Sequence, residues 1–242
     1  MNTTVAQLTA RSLLGRRRAL LLTLLPAILL GLCGVARWLD GPGEAMSVAL
    51  LGGFALGTMV PLLGLIVGTG AIGPEIDDGS IVYLLSKPLN RFTIATTKFG
   101  VAVAIVMVVA VIPTFLAGVI LSGTGSGVAA AYAVGVGIAG VAYCALFLLL
   151  AVVTRNAVVV GLLYALIWES LIGGFVPGAQ ALSIQQWSLA LTEAMLGTRG
   201  EQLGVSSAVG LGTAVLLLLV VIVGGTWYAG RRLRTLRLTG AE

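Results

Sequence analysis

Histidine is absent from this 242-residue chain, and cysteine occurs only as Cys33 and Cys144. Without an imidazole there is no haem or zinc ligand of that type and no Ser/His or Cys/His nucleophile pair. The two cysteines fall in different apolar runs with no CxxC spacing, so they read as small packing residues. A GxxxxGK loop followed by Ser or Thr is also missing, and the glycine-rich GTGSGVAAA carries no lysine. Nothing here is built to hydrolyse ATP alone. Charge is the remaining scarcity: 10% of residues are charged against 58% hydrophobic, with a mean hydropathy of +1.09. That balance excludes a soluble globular domain.

What is present in quantity is apolar sequence. A helix crossing a bilayer needs on the order of 20 mostly apolar residues, and the runs at about 19–37, 46–73, 99–121, 127–153, 157–176 and 205–229 each meet or approach that length. The third and fourth come from one uncharged stretch between Lys98 and Arg155, broken by the turn-forming SGTGSG at 122–127. The runs are continuous and not alternating, so helices are expected and strands are not. The expected fold is an all-α integral membrane protein with six transmembrane helices, one domain over 1–242. An N-terminal interfacial elbow helix at 3–17 precedes them, with Val5, Leu8, Thr9 and Leu13 on one stripe beside the basic Arg16 to Arg18. The basic start is not read as a cleaved signal, since the apolar run is long and no small-residue cleavage pattern follows it; Leu32 before Cys33 argues against a lipoprotein anchor.

Basic residues near spans are retained on the cytoplasmic side. Six spans with both termini inside leave only Arg37 and Arg199, of 14 basic residues, on the outer side. The expected location is the inner or plasma membrane, multi-pass, and the pI near 9.7 needs no nucleic acid to explain it.

Against this background EIDDGSIVYLLSKPLNR at 75–91 stands out. Pro74 suits a first helical position, Glu75, Asp77 and Asp78 the positive helix end, Lys87 the negative end, and Pro88 stops it. Ile81, Leu84 and Leu85 share one side, which predicts a short cytoplasmic helix with one face covered; Asn90 suits the cap of the next span.

The wording GPEIDDGSIVYLLSKPLNRFTIATTKF resembles the first cytoplasmic loop of the type-2 permeases of ATP-binding-cassette (ABC) exporters. The matching positions are Glu75, Gly79, Ser80, Leu84, Leu85, Pro88, Arg91 and Lys98, with Ser80 where Thr is commoner in the family. The elbow, the six spans and the outer LSIQQW segment are similar as well. The resemblance implies a permease that pairs with a second copy or a similar permease and binds two separate ABC ATPase subunits, with ATP and Mg held there and no cofactor in this chain. It makes 74–98 a coupling loop in which Glu75, Asp78, Gly79, Ser80, Leu84, Leu85, Pro88, Arg91 and Lys98 engage or position the ATPase.

Two further features bear on transport. Gly53, Gly57, Gly64 and Gly68 recur at steps of four, seven and four, a smooth helix face suited to packing within the chain or to lining the dimer seam or pathway. Pro61 should bend the same helix. Glu169 is the one carboxylate inside an expected span, a placement costing about 2.5–3.5 kcal/mol unless compensated. About 14 residues beyond Arg155, it is expected towards the outer leaflet, either bonding the outer segment or contacting a polar or cationic substrate. Ser183 and Gln186 stand at capping-box spacing ahead of a short outer-leaflet helix, and Trp38, Trp168, Trp187 and Trp227 are expected at the interfaces.

Two rival classes are a stand-alone ion-coupled carrier or channel and an intramembrane enzyme similar to the CDP-alcohol phosphotransferases, whose metal motif opens with Asp-Gly. Few ionisable groups sit at mid-membrane for the first, and no Asp follows Asp78 for the second. Cargo stays open among drug-like molecules, lipids, peptides and ions.

Overall fold

A computed structural model describes residues 3–41, 43–77, 91–172 and 178–235. Among them there are helices and no strands. In chain order these are α1 (Thr3–Leu13), α2 (Arg16–Asp40), α3 (Glu44–Ile76), α4 (Phe92–Ser122), α5 (Val128–Val153), α6 (Ala157–Glu169), α7 (Ile184–Leu196), α8 (Thr198–Gln202) and α9 (Leu211–Leu233). Five of them, α3, α4, α5, α9 and the Arg18–Leu39 part of α2, are long and apolar enough to cross a membrane; α6 is shorter.

The boundaries depart from the sequence expectation in two ways. The last span begins at Leu211 and not at 205, because 205–210 carries Ser206, Ser207 and Gly210 and runs outside any helix. The third begins about seven residues early, drawing Lys98 inside the helix. The six-residue glycine-rich turn forms as expected: Gly123 and Gly127 adopt φ of 74° and 76°, ending α4 and starting α5. At that hairpin Gly118 lies so close to Ala129 that a Cβ would sit 2.6 Å from its Cα.

α5 is the axis of the bundle. Its small residues leave room on nearly every side, and α3, α4, α6, α7 and α9 all pack on it. Tyr132, Tyr143 and Phe147 supply its bulk and are buried. The Tyr143 and Phe147 rings stack with centroids 6.0 Å apart, and Phe147 meets Tyr164 of α6 edge-on.

Pro61 and Pro113 each follow a run of widened turns, Leu50–Met59 in α3 and Met107–Val111 in α4. A proline lacks its N–H and its ring crowds the carbonyl four residues back. Winding the preceding turns wide, as in Val60 N–H donating to Ala55 O, relieves both conflicts within a helix that keeps going.

Candidate functional site

Cross-links between helices sort the bundle into two ends. At one, Arg18 of α2 donates to Gly70 O of α3 at 3.3 Å, Lys98 of α4 reaches α3, and Gly230 of α9 rests against Phe92 of α4. At the other, Arg37 donates to Ile120 O at 2.7 Å and Arg199 to Ser126 O at 2.7 Å, so each fastens its own element to the α4–α5 hairpin. The first end carries Arg16 to Arg18, Lys98, Arg155, Arg231 and Arg232; the second carries Arg37 and Arg199. The bundle is thus strongly basic at one end.

The clearest polar construction stands at that basic end. Lys98 is fully buried, and its Nζ donates to Glu75 Oε1 at 2.7 Å and to Ala71 O at 2.6 Å. Glu75 belongs to the short turn of helix Gly73–Asp77 at the end of α3, with its side chain 29% exposed. An ammonium taken out of water costs several kcal/mol, offset here by one carboxylate and one carbonyl in hydrogen-bonding geometry. The result is a clasp between the two stems from which 78–90 emerges. Of the residues expected in the coupling loop, Glu75 and Lys98 are brought together. Arg91 is the helical residue just ahead of Phe92, the first residue of α4, and Asp78, Gly79, Ser80, Leu84, Leu85 and Pro88 lie outside the described residues.

The second construction is buried around Glu169. Its Oε1 accepts the Tyr143 hydroxyl and, at 2.7 Å, the backbone N–H of Gln185; the Ser183 and Tyr164 hydroxyls face the same carboxyl. Gln185 is the second residue of α7, so the carboxylate from α6 satisfies an otherwise orphaned donor at the positive end of that helix. Ser183 Oγ accepts from Gln186 N, as the capping spacing predicts. Gln186 does not complete the box, because its own Oε1 accepts from Ala208 N at 3.2 Å.

The depth of this cluster within the bundle can be read from its partners. The Glu169 carboxyl meets the hydroxyl of Tyr143, which stands about 15 Å of helix from the end of α5 at Val153, and so lies in the body of the bundle. α7 is correspondingly not shallow. Ser183, Ile184, Trp187, Ser188 and Thr192 are buried, and it packs on α5 and α9. Trp187 is consequently an internal anchor, its Nε1 donating to Ala181 O at 2.8 Å. Trp38, 84% exposed, and Trp227, with Arg231 over its ring at 5.4 Å, remain on the surface.

The glycines of α3 do not form the single face that α-helical spacing suggests. A Cβ at Gly64 would stand 2.6 Å from Tyr143 Cβ, one at Gly68 2.8 Å from Phe147 Cβ, and one at Gly57 2.9 Å from Gln185 Nε2. Only Gly53 of the four meets open space. The widened turns over Leu50–Met59 rotate Gly53 away from the others. Gly64 and Gly68 admit the aromatic side chains of α5, which is close packing within the chain.

The family description "ABC-2 family transporter protein" matches residues 4–232, nearly the whole chain. The chain belongs to the ABC-2 transporter family. Among curated proteins none matches it. As an ABC-2 permease it is the membrane component of an ABC transporter, a family that normally works with ABC ATPases. The match takes in both constructions of this ABC-2 permease, the Lys98–Glu75 clasp and the Glu169 cluster. The burial of Lys98 and the dive of α7 were not evident in the sequence. The one sequence signal for the first was a lysine seven residues into a run that proved helical, and for the second a lone acid in an apolar stretch.

Proposed function

We propose that this ABC-2 permease forms, as a dimer, the translocation pathway of an ATP-driven exporter, and that a separate ATPase drives it through the 74–91 segment. The observation that carries this reading is the Lys98–Glu75 clasp. A loop that transmits force needs stems that do not give, and the buried ion pair joins the stem leaving α3 to the stem entering α4. The loop then acts as one piece with both helices. The excess of arginine and lysine at this end supports a cytoplasmic position for it, where ATPase subunits carrying ATP and Mg would dock. The work is done by differential binding of the loop to the two nucleotide states of the ATPase. In this reading Glu75 and Lys98 are positioning residues, while Asp78, Leu84, Leu85 and Arg91 meet the partner.

Co-expression with a candidate ABC ATPase, sought first in the neighbouring reading frames, tests it. Replacing Asp78, Leu84 and Arg91 together should abolish co-purification of the ATPase while the permease still folds. Retained complex with unchanged transport-linked ATPase activity overturns the coupling assignment.

A further inference from the structure

Beside the clasp, at the basic end, a cavity of about 410 Å³ opens between the start of α2, the end of α3 and the turn joining α5 to α6. Arg18 and Arg155 line it from positions far apart in the chain, and Leu21, Leu65, Val158 and Val159 line its apolar part. Neither guanidinium meets an acid among the described residues. Arg18, half-buried, spends one of its five N–H donors on Gly70 O at 3.3 Å, and Arg155 is exposed at the turn with no hydrogen bond among the described residues. Glu75, close by in sequence, is held by Lys98. Two guanidiniums with spare donors therefore line one hollow.

The hollow also has a direction. Leu21, Val158 and Val159 are each more than half exposed on the outside of the bundle, so the apolar wall continues onto the surface of the spanning helices. An occupant matching both parts carries a phosphate at one end and hydrocarbon at the other. A free phosphate would leave the apolar wall wet, a lipid without phosphate would leave the guanidiniums without an anion, and a zwitterionic phospholipid would bring its own ammonium up to two guanidiniums. We infer that this cavity binds the phosphate headgroup of an anionic phospholipid, with Arg18 and Arg155 on the phosphate and an acyl chain along Leu21, Val158 and Val159. Planar guanidiniums suit phosphate oxygens through paired hydrogen bonds, and basic pockets between spans at the cytoplasmic level are suited to such headgroups. The inference needs no ATPase, and only its leaflet assignment rests on the orientation proposed above.

The full-length permease in nanodiscs of equal phosphatidylglycerol and phosphatidylcholine, released into native mass spectrometry, gives the test. The parent should retain phosphatidylglycerol over phosphatidylcholine, and R18Q/R155Q should lose that preference by roughly thirtyfold, two phosphate contacts removed. R18K/R155K should keep part of it. If R18Q/R155Q does not fold, R155Q alone, altering an exposed turn residue, should still weaken retention measurably. Equal retention of both lipids by the parent overturns the inference. So does displacement of the lipid by inorganic phosphate at matched concentration, which would make the ligand a soluble anion. Cross-linking of L21C to V158C between two copies would also overturn it, since a second permease would then fill the cavity.

Discussion

Lys98 Nζ lies 2.7 Å from Glu75 Oε1, joining residues 23 positions apart across the neck of the 78–90 segment. The ammonium of Lys98 and the Oε2 of Glu75 are both out of water, so removing either partner should be costly. E75L strands a fully buried ammonium on the Ala71 carbonyl and should cost about 3–5 kcal/mol. K98M strands a carboxylate whose Oε2 is also shut off from water and should cost a comparable amount. The double variant E75L/K98M leaves no unpaired charge and should recover most of the stability while loosening the loop stems. Thermal unfolding of the purified permease reads all three; an E75L protein as stable as the parent would show that the ion pair holds nothing.

Glu169 predicts a local effect. Its carboxylate accepts Gln185 N–H at the buried start of α7 and the Tyr143 hydroxyl from α5. E169A should free the first turn of α7, raising amide hydrogen exchange over 184–187 well before the α5 amides respond, whereas E169Q should preserve much of the protection because its amide oxygen still accepts. Protection unchanged in E169A would mean that packing of Ile184 and Trp187 alone seats the helix. Loss of transport in an E169Q protein that exchanges normally would instead favour contact with cargo.

Orientation can be read chemically. Thr124 lies at the hairpin fastened by Arg199, and Asn156 at the turn beside Arg155; both are exposed. In a background with Cys33 and Cys144 replaced by alanine, T124C should react with an impermeant maleimide on intact cells, and N156C only after permeabilisation. The reverse pattern would invert the bundle and place the 74–91 segment outside, removing the proposed coupling.

Much of this architecture follows from period and composition, since an apolar run of spanning length has few alternatives to a helix, and Gly123 and Gly127 mark the hairpin because their backbone angles suit glycine. The departure at Gly53 has a local cause. Regular winding at 3.6 residues per turn puts Gly53, Gly57, Gly64 and Gly68 on one face, whereas Leu50–Met59 winds wide and leaves Gly53 facing open space while Gly64 meets α5. A lysine such as Lys98 likewise reads as a span boundary until its partner, 23 residues earlier, is known to be within reach.

The glycines of α3 separate internal packing from an outer surface. At Gly68 an added Cβ would stand 2.8 Å from Phe147 Cβ and 3.2 Å from Cys144 O, and at Gly64 2.6 Å from Tyr143 Cβ. Neither α3 nor α5 can withdraw without opening the core, so G64A and G68A should each cost about 1–3 kcal/mol. Gly53 has no atom within 4 Å of where its Cβ would be, and G53A should be neutral or slightly stabilising through helix propensity. A bulkier G53L should leave the melting temperature of the isolated permease unchanged. If this face meets a second permease or lines the pathway, G53L should nevertheless disrupt pairing or export, measured by cross-linking between copies and by transport. Full pairing and export in G53L would leave that exposed face to lipid and move the dimer seam elsewhere on the bundle.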